Sequence, residues 1–178
     1  VRFPLDNDSP AGIAGSTGQA IQAFAKSYER KRPDLLLVLG DRFEMFAAAA
    51  AALPFKIPVA HIHGGELTEG AIDNSLRHSI TMLSHLHFAA HEEYAQRILR
   101  MGEEPWRVMV SGAPALDHLK GPSHTPRRDL LVTFHPVTLE YEQAEWQAGE
   151  LLAALQAFDR PMVFTLPNAD TNGRIILR

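Results

Sequence analysis

Short apolar runs alternate with helix-length segments along this chain, and that order constrains the fold more than any other feature. The run Leu35–Leu39 contains no polar residue, which predicts a strand buried on both faces. Further strands are predicted at 59–63, 86–90 and 108–110, and helices at 44–53, 73–84 and 92–101. A first helix is predicted from Ser16 or Thr17, as its cap, to Arg30. The alternation predicts an α/β fold with a Rossmann-like, doubly wound parallel sheet.

The composition changes near residue 120, where we expect one domain to end. Residues 121–128 are polar and contain two prolines and a glycine, which is typical of a linker. Residues 1–120 would then form an N-terminal Rossmann-like domain that lacks its first strand. Residues 129–178 would begin a C-terminal one, with strands at 130–134 and 162–166 around a helix at 139–158. Two strands and one helix cannot cover both faces of a sheet, so we expect this second domain to be truncated.

Charge and composition exclude several classes of protein. A net charge of −4 and a pI near 6.1 disfavour a nucleic-acid-binding surface, which needs basic residues to neutralise phosphates. The chain has no cysteine, which favours a reducing compartment. Its first residues are polar and not an apolar signal sequence, and its longest apolar stretch, 45–55, is too short to cross a bilayer. We therefore expect a cytoplasmic protein with neither nucleic acid nor membrane as partner.

Polar side chains follow the predicted strands at the points where the strands end. Asp41 and Arg42 follow the first strand, His61, His63 and Glu66 lie at the end of the next, and His135 follows the strand at 130–134; Asn168 and Asp170 follow the last strand. In doubly wound sheets, ligands bind at the carboxyl ends of the strands. The sequence therefore predicts one shared site built from these loops.

Several of these residues allow two interpretations. Asp41 could cap the helix that follows it, or serve as an acid or base. Arg42 could pair with Asp41 or Glu66, or hold a phosphate. His61, His63 and Glu66 could bind a metal ion, although their spacing is not specific for one.

The predicted helix at 73–84 also contributes to this site. Asp73 and Arg77 are four residues apart and share a helix face, so they could form an ion pair. His78 lies on an adjacent face. His135 precedes Pro136, which favours an extended backbone that could aim its ring across the gap between domains.

Longer segments around these residues match a known family. The matching segments are Gly40-Asp41-Arg42-Phe43-Glu44, His61-Ile62-His63-Gly64-Gly65-Glu66, Gly70-Ala71-Ile72-Asp73, Arg77-His78, Thr133-Phe134-His135-Pro136-Val137-Thr138 and Pro167-Asn168-Ala169-Asp170-Thr171-Asn172-Gly173-Arg174. With them, the chain resembles the hydrolysing UDP-N-acetylglucosamine 2-epimerases that serve bacterial sialic-acid-type sugar synthesis.

The resemblance implies a fold and a reaction. The fold would be the two-domain glycosyltransferase-B type, incomplete at both ends in this chain. In the reaction, UDP leaves C1 as a proton leaves C2, and water then adds to give free N-acetylmannosamine. The substrate would be UDP-N-acetylglucosamine or a close UDP-sugar, with no cofactor and no metal. The resemblance further suggests a homo-oligomer, either a dimer or a tetramer.

The resemblance also implies roles for residues. The catalytic candidates are Asp41, Glu66, Asp73 and His135, and the substrate-binding candidates are Arg42, His63, Arg77, His78, Asn168, Asp170 and Arg174. Arg77 is expected to orient Asp73. Related non-hydrolysing epimerases carry a glutamate two residues after the first histidine, where this chain has His63, and Glu66 is a candidate to replace it.

Three other interpretations stay open. A B-type glycosyltransferase would move the sugar onto an acceptor without releasing it. A noncatalytic module would keep the loops and lack UDP binding. A metal-dependent hydrolase would use His61, His63 and Glu66 and would lose activity when the metal is chelated.

Overall fold

The computed structural model describes residues 1–2, 9–119, 121, 128–135 and 137–166. The helices are α1 (Pro10–Arg30), α2 (Phe43–Ala52), α3 (Asp73–Leu83), α4 (Glu92–Arg100) and α5 (Ala144–Leu155), and the strands are β1 (Leu36–Leu39), β2 (Val59–Ile62), β3 (Leu86–Ala89), β4 (Val108–Val110), β5 (Leu130–Val132) and β6 (Met162–Phe164). Three short 3-10 helices connect them at Pro105–Arg107, Pro114–Leu116 and Thr138–Gln143. The predicted α/β class with parallel strands is confirmed.

The first helix begins earlier than the sequence analysis predicted. Ser9 is its N-cap, and the Ser9 Oγ accepts a hydrogen bond of 3.0 Å from the backbone N–H of Gly12. Pro10 follows in the first turn, where the missing N–H of proline costs nothing. The predicted start at Ser16 or Thr17 is therefore wrong, and Ser16 lies fully buried inside the helix. The signal overlooked was the Ser-Pro pair itself.

The larger sheet contains β1, β2, β3 and β4 side by side in that order, all parallel. Right-handed crossovers between strands that advance in one direction place α2, α3 and α4 on the same face. The core lies on that face, where Val38 and Val59 pack against α1, α2 and α3. The helices thereby fix which strand residues become buried.

The opposite face of this sheet is largely uncovered. Leu37 and Leu39 point to it and are 59% and 54% exposed, whereas Val38 between them is 1% exposed. The expectation that this strand is buried on both faces is therefore wrong for the described residues. The physical reason is the one-directional strand order, which supplies helices to a single face.

The second sheet consists of β5 and β6, which pair in parallel. The predicted single helix at 139–158 is divided into the 3-10 helix Thr138–Gln143 and α5, with non-helical backbone at Glu140 (φ −128°, ψ 30°). This short helix meets the loop before α3. The Ile72 N–H donates to Thr138 Oγ1 at 3.0 Å, and the Leu139 N–H donates to the Gly70 carbonyl oxygen at 3.1 Å.

Two further expectations bear on the organisation of the chain. The linker proposed at 121–128 lies mostly outside the described residues, so the domain boundary there stays a prediction. No helix in the described part of the chain is long and apolar enough to span a membrane.

Candidate functional site

An ion pair between Asp41 and Arg77 lies at the carboxyl end of the larger sheet. Gly40 ends β1 in a left-handed conformation (φ 79°), and Asp41 follows it. Arg77, on α3, is 3% exposed, and its Nη2 donates to Asp41 Oδ2. The N-cap position of α2 is occupied by Arg42 without a side-chain cap, so Asp41 does not cap that helix. The Asp41 carboxylate is instead committed to the site.

Arg77 also fixes the loop that follows β2. Its Nη1 donates to the Glu66 carbonyl oxygen at 2.9 Å, and its Nη2 donates to Thr68 Oγ1 at 3.1 Å. The predicted pairing of Arg77 with Asp73 is replaced by the contact with Asp41, because the buried guanidinium reaches across to the end of β1. Arg77 therefore connects the loop after β1 to the loop after β2. Its side chain is 4% exposed.

Asn74 is a member of this network that the sequence analysis missed. Its Oδ1 accepts from Arg77 Nη1 at 3.0 Å and from the Thr68 N–H at 2.8 Å, while its Nδ2 donates to the Thr68 carbonyl oxygen at 2.8 Å. Asn74 therefore clamps the backbone of the loop to the first turn of α3. The only sequence signal was an amide side chain directly after Asp73.

His63 and Glu66 form a second polar pair in the same loop. His63 Nδ1 lies 2.5 Å from Glu66 Oε1, and the two side chains are 21% and 28% exposed. His63 has a left-handed backbone (φ 66°), which ends β2 and turns the chain toward Glu66. A non-glycine residue in this conformation is uncommon, and such strain clusters at functional sites. The pair can share and relay a proton at the surface of the site.

Arg42 and Asp73 lie on the wall of a narrow pocket at the starts of α2 and α3. Arg42 is held by Glu44, with an Nη2 to Oε1 distance of 3.0 Å and an Nε to Oε2 distance of 3.2 Å. That partner is neither of the two expected from the sequence, Asp41 and Glu66. The pocket has a volume of about 20 Å³, room for a water molecule or two. Its walls are Ile13, Arg42, Phe43, Ile72, Asp73, Leu76 and Thr138.

His61 is fully buried and does not share the surroundings of His63. Its Nε2 lies 2.8 Å from the Gly40 carbonyl oxygen, and its Nδ1 lies 3.2 Å from Thr81 Oγ1. Burial lowers the pKa of His61 to about 4. Both nitrogens are thus committed to protein groups, which removes His61 from the proposed metal-binding set. Within the described residues, no three histidine or acidic side chains are grouped to hold a metal ion.

The other predicted site residues are placed as follows. His135 follows β5 and is exposed, three residues before the Thr138 that bonds to Ile72. His78 lines a different surface, a groove between α2 and α3. Asn168, Asp170 and Arg174 lie outside the described residues, so their roles stay predictions.

The geometry therefore defines an edge where carboxylates, an imidazole and buried positive charge converge from three loops. Asp41 and Glu66 lie in the loops after β1 and β2, Asp73 begins α3, and Thr138 approaches from the side of the smaller sheet. Such an arrangement suits proton transfer next to an anionic ligand.

Comparison with known proteins shows the family of the chain. The family described as UDP-N-acetylglucosamine 2-epimerase matches residues 1–178. The chain is 39% identical to a GDP/UDP-N,N'-diacetylbacillosamine 2-epimerase (hydrolyzing) of Campylobacter jejuni, over 97% of the chain and 48% of the relative. It is 35% identical to the polysialic acid biosynthesis protein P7 of Escherichia coli, over 100% of the chain and 49% of the relative.

The chain belongs to the UDP-N-acetylglucosamine 2-epimerase family. It spans about half the length of the curated relatives it matches. Among solved structures, that of Methanocaldococcus jannaschii UDP-GlcNAc 2-epimerase in complex with UDP-GlcNAc and UDP has a TM-score of 0.73 at 20% identity, over 92% of the chain and 50% of the other protein. The described fold is therefore that of about half of such a protein.

Gly65 yields a prediction about the loop of the site. It has a φ of 80°, and an added Cβ would overlap the carbonyl oxygen of Tyr94. We expect Gly65→Ala to lower the free energy of unfolding by at least about 2 kcal/mol, since both the conformation and the contact oppose a side chain. Gly18→Ala is the matched control, because Gly18 lies in α1 with nothing within 4 Å of an added Cβ. That change is expected to raise stability by about 0.5–1 kcal/mol; equal effects in urea unfolding would contradict the argument.

The buried His61 predicts that stability depends on pH. In the unfolded chain this histidine gains a proton below its ordinary pKa of about 6.5, whereas in the folded chain burial holds the pKa near 4. The unfolded state therefore binds more protons between these values, and stability falls as the pH falls from 6.5 to 4. For His61 alone the loss from pH 7 to pH 5 is on the order of 2 kcal/mol. Urea unfolding should show a smaller loss in His61→Gln than in the unchanged protein; equal losses would refute the assignment.

Proposed function

We propose that the complete protein carrying this chain is a hydrolysing 2-epimerase of a UDP-2-acetamido sugar. The observation that carries the proposal is the Asp41–Arg77 pair beside the His63–Glu66 pair, at the carboxyl end of the larger sheet. The family to which the chain belongs is described as a 2-epimerase of a nucleotide sugar. Two separately held acid/base groups are what an elimination followed by a hydration requires.

The proposed chemistry has two balanced steps. In the first, a base removes the proton from C2, the C1–C2 double bond forms, and the C1–O bond breaks with its electron pair leaving on UDP. In the second, water supplies a hydroxyl group to C1 while an acid returns a proton to the other face of C2. The products are UDP and the free sugar with inverted C2, so one water is consumed for each turnover.

The contacts favour particular roles for the residues. Asp41 is held by the Arg77 guanidinium, which keeps its carboxylate oriented, as a base for the C2 proton requires. His63 and Glu66 share a short contact and suit the return of a proton during hydration. Asp73, His135 and Arg42 would contact the sugar and diphosphate from the pocket wall and from the neighbouring loop.

The proposed substrate is UDP-N-acetylglucosamine, giving N-acetylmannosamine for sialic-acid-type surface sugars. The Campylobacter jejuni relative is named for a diacetylated sugar, so UDP-N,N'-diacetylbacillosamine is the alternative to be compared directly. Both carry the 2-acetamido group and the UDP that the mechanism uses. A cytoplasmic location belongs to the same proposal, and the cysteine-free sequence favours it.

The experiment that tests this function is incubation of the complete protein with each UDP-sugar in deuterated water, followed by NMR. We expect UDP and a free sugar with deuterium at C2, because the second step takes its proton from solvent. Asp41→Asn should lower kcat by at least about 100-fold, the scale of losing a positioned base. Transfer of the sugar to an acceptor without its release would contradict the proposal and indicate a glycosyltransferase.

Asp34→Asn is the matched control for this experiment. Asp34 and Asp41 flank the same strand, but Asp34 is exposed at the opposite end. The control is expected to keep activity within about twofold, as surface changes generally do. An equal loss in both variants would show that the effect of Asp41 is not specific to the site.

We further propose that the protein is a homo-oligomer joined through α2 and α3. These helices border an apolar groove lined by Phe46, Ala50, Leu53, His78, Ser79, Met82 and Leu83. Leu53 and Met82 are each 58% exposed there, and α2 carries no basic residue. A second copy would bury these side chains by presenting the same face.

Light scattering of the complete protein tests the proposed interface. Met82→Glu should shift the protein toward the monomer, because it places a charge in the apolar groove. Leu116→Glu replaces another exposed leucine outside the groove and should leave the mass unchanged. This interface would be refuted if the protein without substitutions were a monomer, or if Met82→Glu had the same oligomeric mass as that protein.

A further inference from the structure

His61 lies at the centre of the candidate site, yet the proposed reaction gives it no part. It is 0% exposed, at the end of β2. Its two ring nitrogens contact the Gly40 carbonyl oxygen at 2.8 Å and Thr81 Oγ1 at 3.2 Å. One contact therefore leads to the loop after β1, and the other leads to α3.

The hydrogen-bonding groups decide the form of the His61 ring. A carbonyl oxygen only accepts, so Nε2 must carry the hydrogen that goes to Gly40. Thr81 Oγ1 donates to the Arg77 carbonyl oxygen at 3.0 Å and lies 3.2 Å from His61 Nδ1. Burial lowers the pKa of His61 to about 4, so the ring is neutral and its one N–H hydrogen is on Nε2.

These contacts close a ring of interactions around the catalytic carboxylate. His61 holds Gly40, and the next residue is Asp41, whose carboxylate meets Arg77. The Arg77 carbonyl in turn lies beside the hydroxyl of Thr81, which contacts His61. Each member thus constrains the next, and His61 is the member that joins the backbone of the β1 loop to α3.

The chain also prevents the His61 ring from turning away. An added Cβ at Gly64 would lie 3.0 Å from His61 Nδ1 and 3.2 Å from Thr81 Oγ1. The backbone of Gly64 therefore packs directly over the ring edge. A side chain at this position would require the ring or the hydroxyl to shift by a few tenths of an ångström, so glycine favours the orientation that directs Nε2 to Gly40.

We propose that His61 is a positioning residue whose neutral ring, by donating from Nε2 to the Gly40 carbonyl, fixes the turn that presents Asp41 to Arg77 and to the substrate. This inference rests on the proposed function only for its effect on turnover. The placement of Asp41 against Arg77 can be measured without any substrate.

His87 provides a matched control. It is the residue directly beside His61 in the sheet, on β3, and it is equally buried at 0% exposed. Its Nε2 lies 3.1 Å from Glu103 Oε2, and among the described residues no ion pair joins it to Asp41. Replacing His87 disturbs the same sheet without touching the ring of interactions.

The experiment compares His61→Leu, His61→Gln and His87→Leu with the unchanged complete protein. Leucine fills a similar volume without hydrogen bonds, whereas the Nε2 of glutamine can still donate toward Gly40. Nitrogen-15 NMR of labelled histidine should show His61 as the Nε2–H tautomer at pH 7. With labelled arginine, Arg77 should give separate Nη signals, assigned by their loss in Arg77→Lys. We expect these to merge in His61→Leu and to stay separate in His61→Gln and His87→Leu.

Turnover gives the second readout. We expect kcat to fall by about tenfold or more in His61→Leu with KM changed by less than about threefold, the pattern for a displaced catalytic group. His61→Gln should recover most of the loss, and His87→Leu should lower stability without lowering kcat.

Three results would overturn the proposal. The first is a His61 ring that is charged or carries its hydrogen on Nδ1 at pH 7. The second is that the Arg77 Nη signals stay separate in His61→Leu. The third is that these signals merge in both His61→Leu and His87→Leu. If the Arg77 signals behave as expected while no UDP-sugar is converted, then His61 has the positioning role and the proposed function is wrong. The two failures are thus distinguishable.

Discussion

The burial of the Arg77 guanidinium is the constraint on which the rest of the site depends. A charge that is 97% removed from solvent costs several kcal/mol unless it is paired and hydrogen-bonded. Asp41 supplies the opposite charge, Asn74 on α3 supplies one acceptor, and the loop after β2 supplies two more through Glu66 and Thr68. The conformation of that loop is therefore coupled to the charge on α3. Removing either partner would leave an uncompensated ion in the interior, which makes the two loops one structural unit.

The two histidines at the end of β2, His61 and His63, have different surroundings and different hydrogen-bond partners. His61 is buried and neutral, and its Nε2 contacts the Gly40 carbonyl oxygen. His63 is partly exposed, and its Nδ1 lies 2.5 Å from the Glu66 carboxylate. They are two residues apart, and the left-handed backbone at His63 is what separates them. Had the strand continued, both rings would have faced the same way. The left-handed backbone at His63 thus makes one histidine a buried structural group and the other a partly exposed group paired with a carboxylate.

Much of this architecture could be predicted from the sequence, and the failures have physical causes. The strands β1 to β4 follow from the apolar runs, and the placement of Asp41 and Glu66 in the loops after β1 and β2 follows from the polar residues after those runs. The partner of Arg77 did not follow, because helix spacing suggested Asp73 and the burial of Arg77 is a tertiary property. Asn74 was overlooked because its role depends on the path of a loop that no periodicity describes. The predicted start of α1 was too late because Ser16 and Thr17 are also of the residue types that commonly cap helices.

The bare face of the larger sheet has a consequence for where the site lies. Its strands advance in one direction away from β1, so every crossover places its helix on the same side. Crossover helices would cover the face that contains Leu37 and Leu39 only if further strands paired with the free edge of β1. The order of those strands would have to advance in the direction opposite to that of β2, β3 and β4. In such a sheet β1 would no longer be an edge but the point at which the winding reverses. The loops on the two sides of β1 would then diverge and leave a crevice, with Gly40, Asp41 and Arg42 at its mouth.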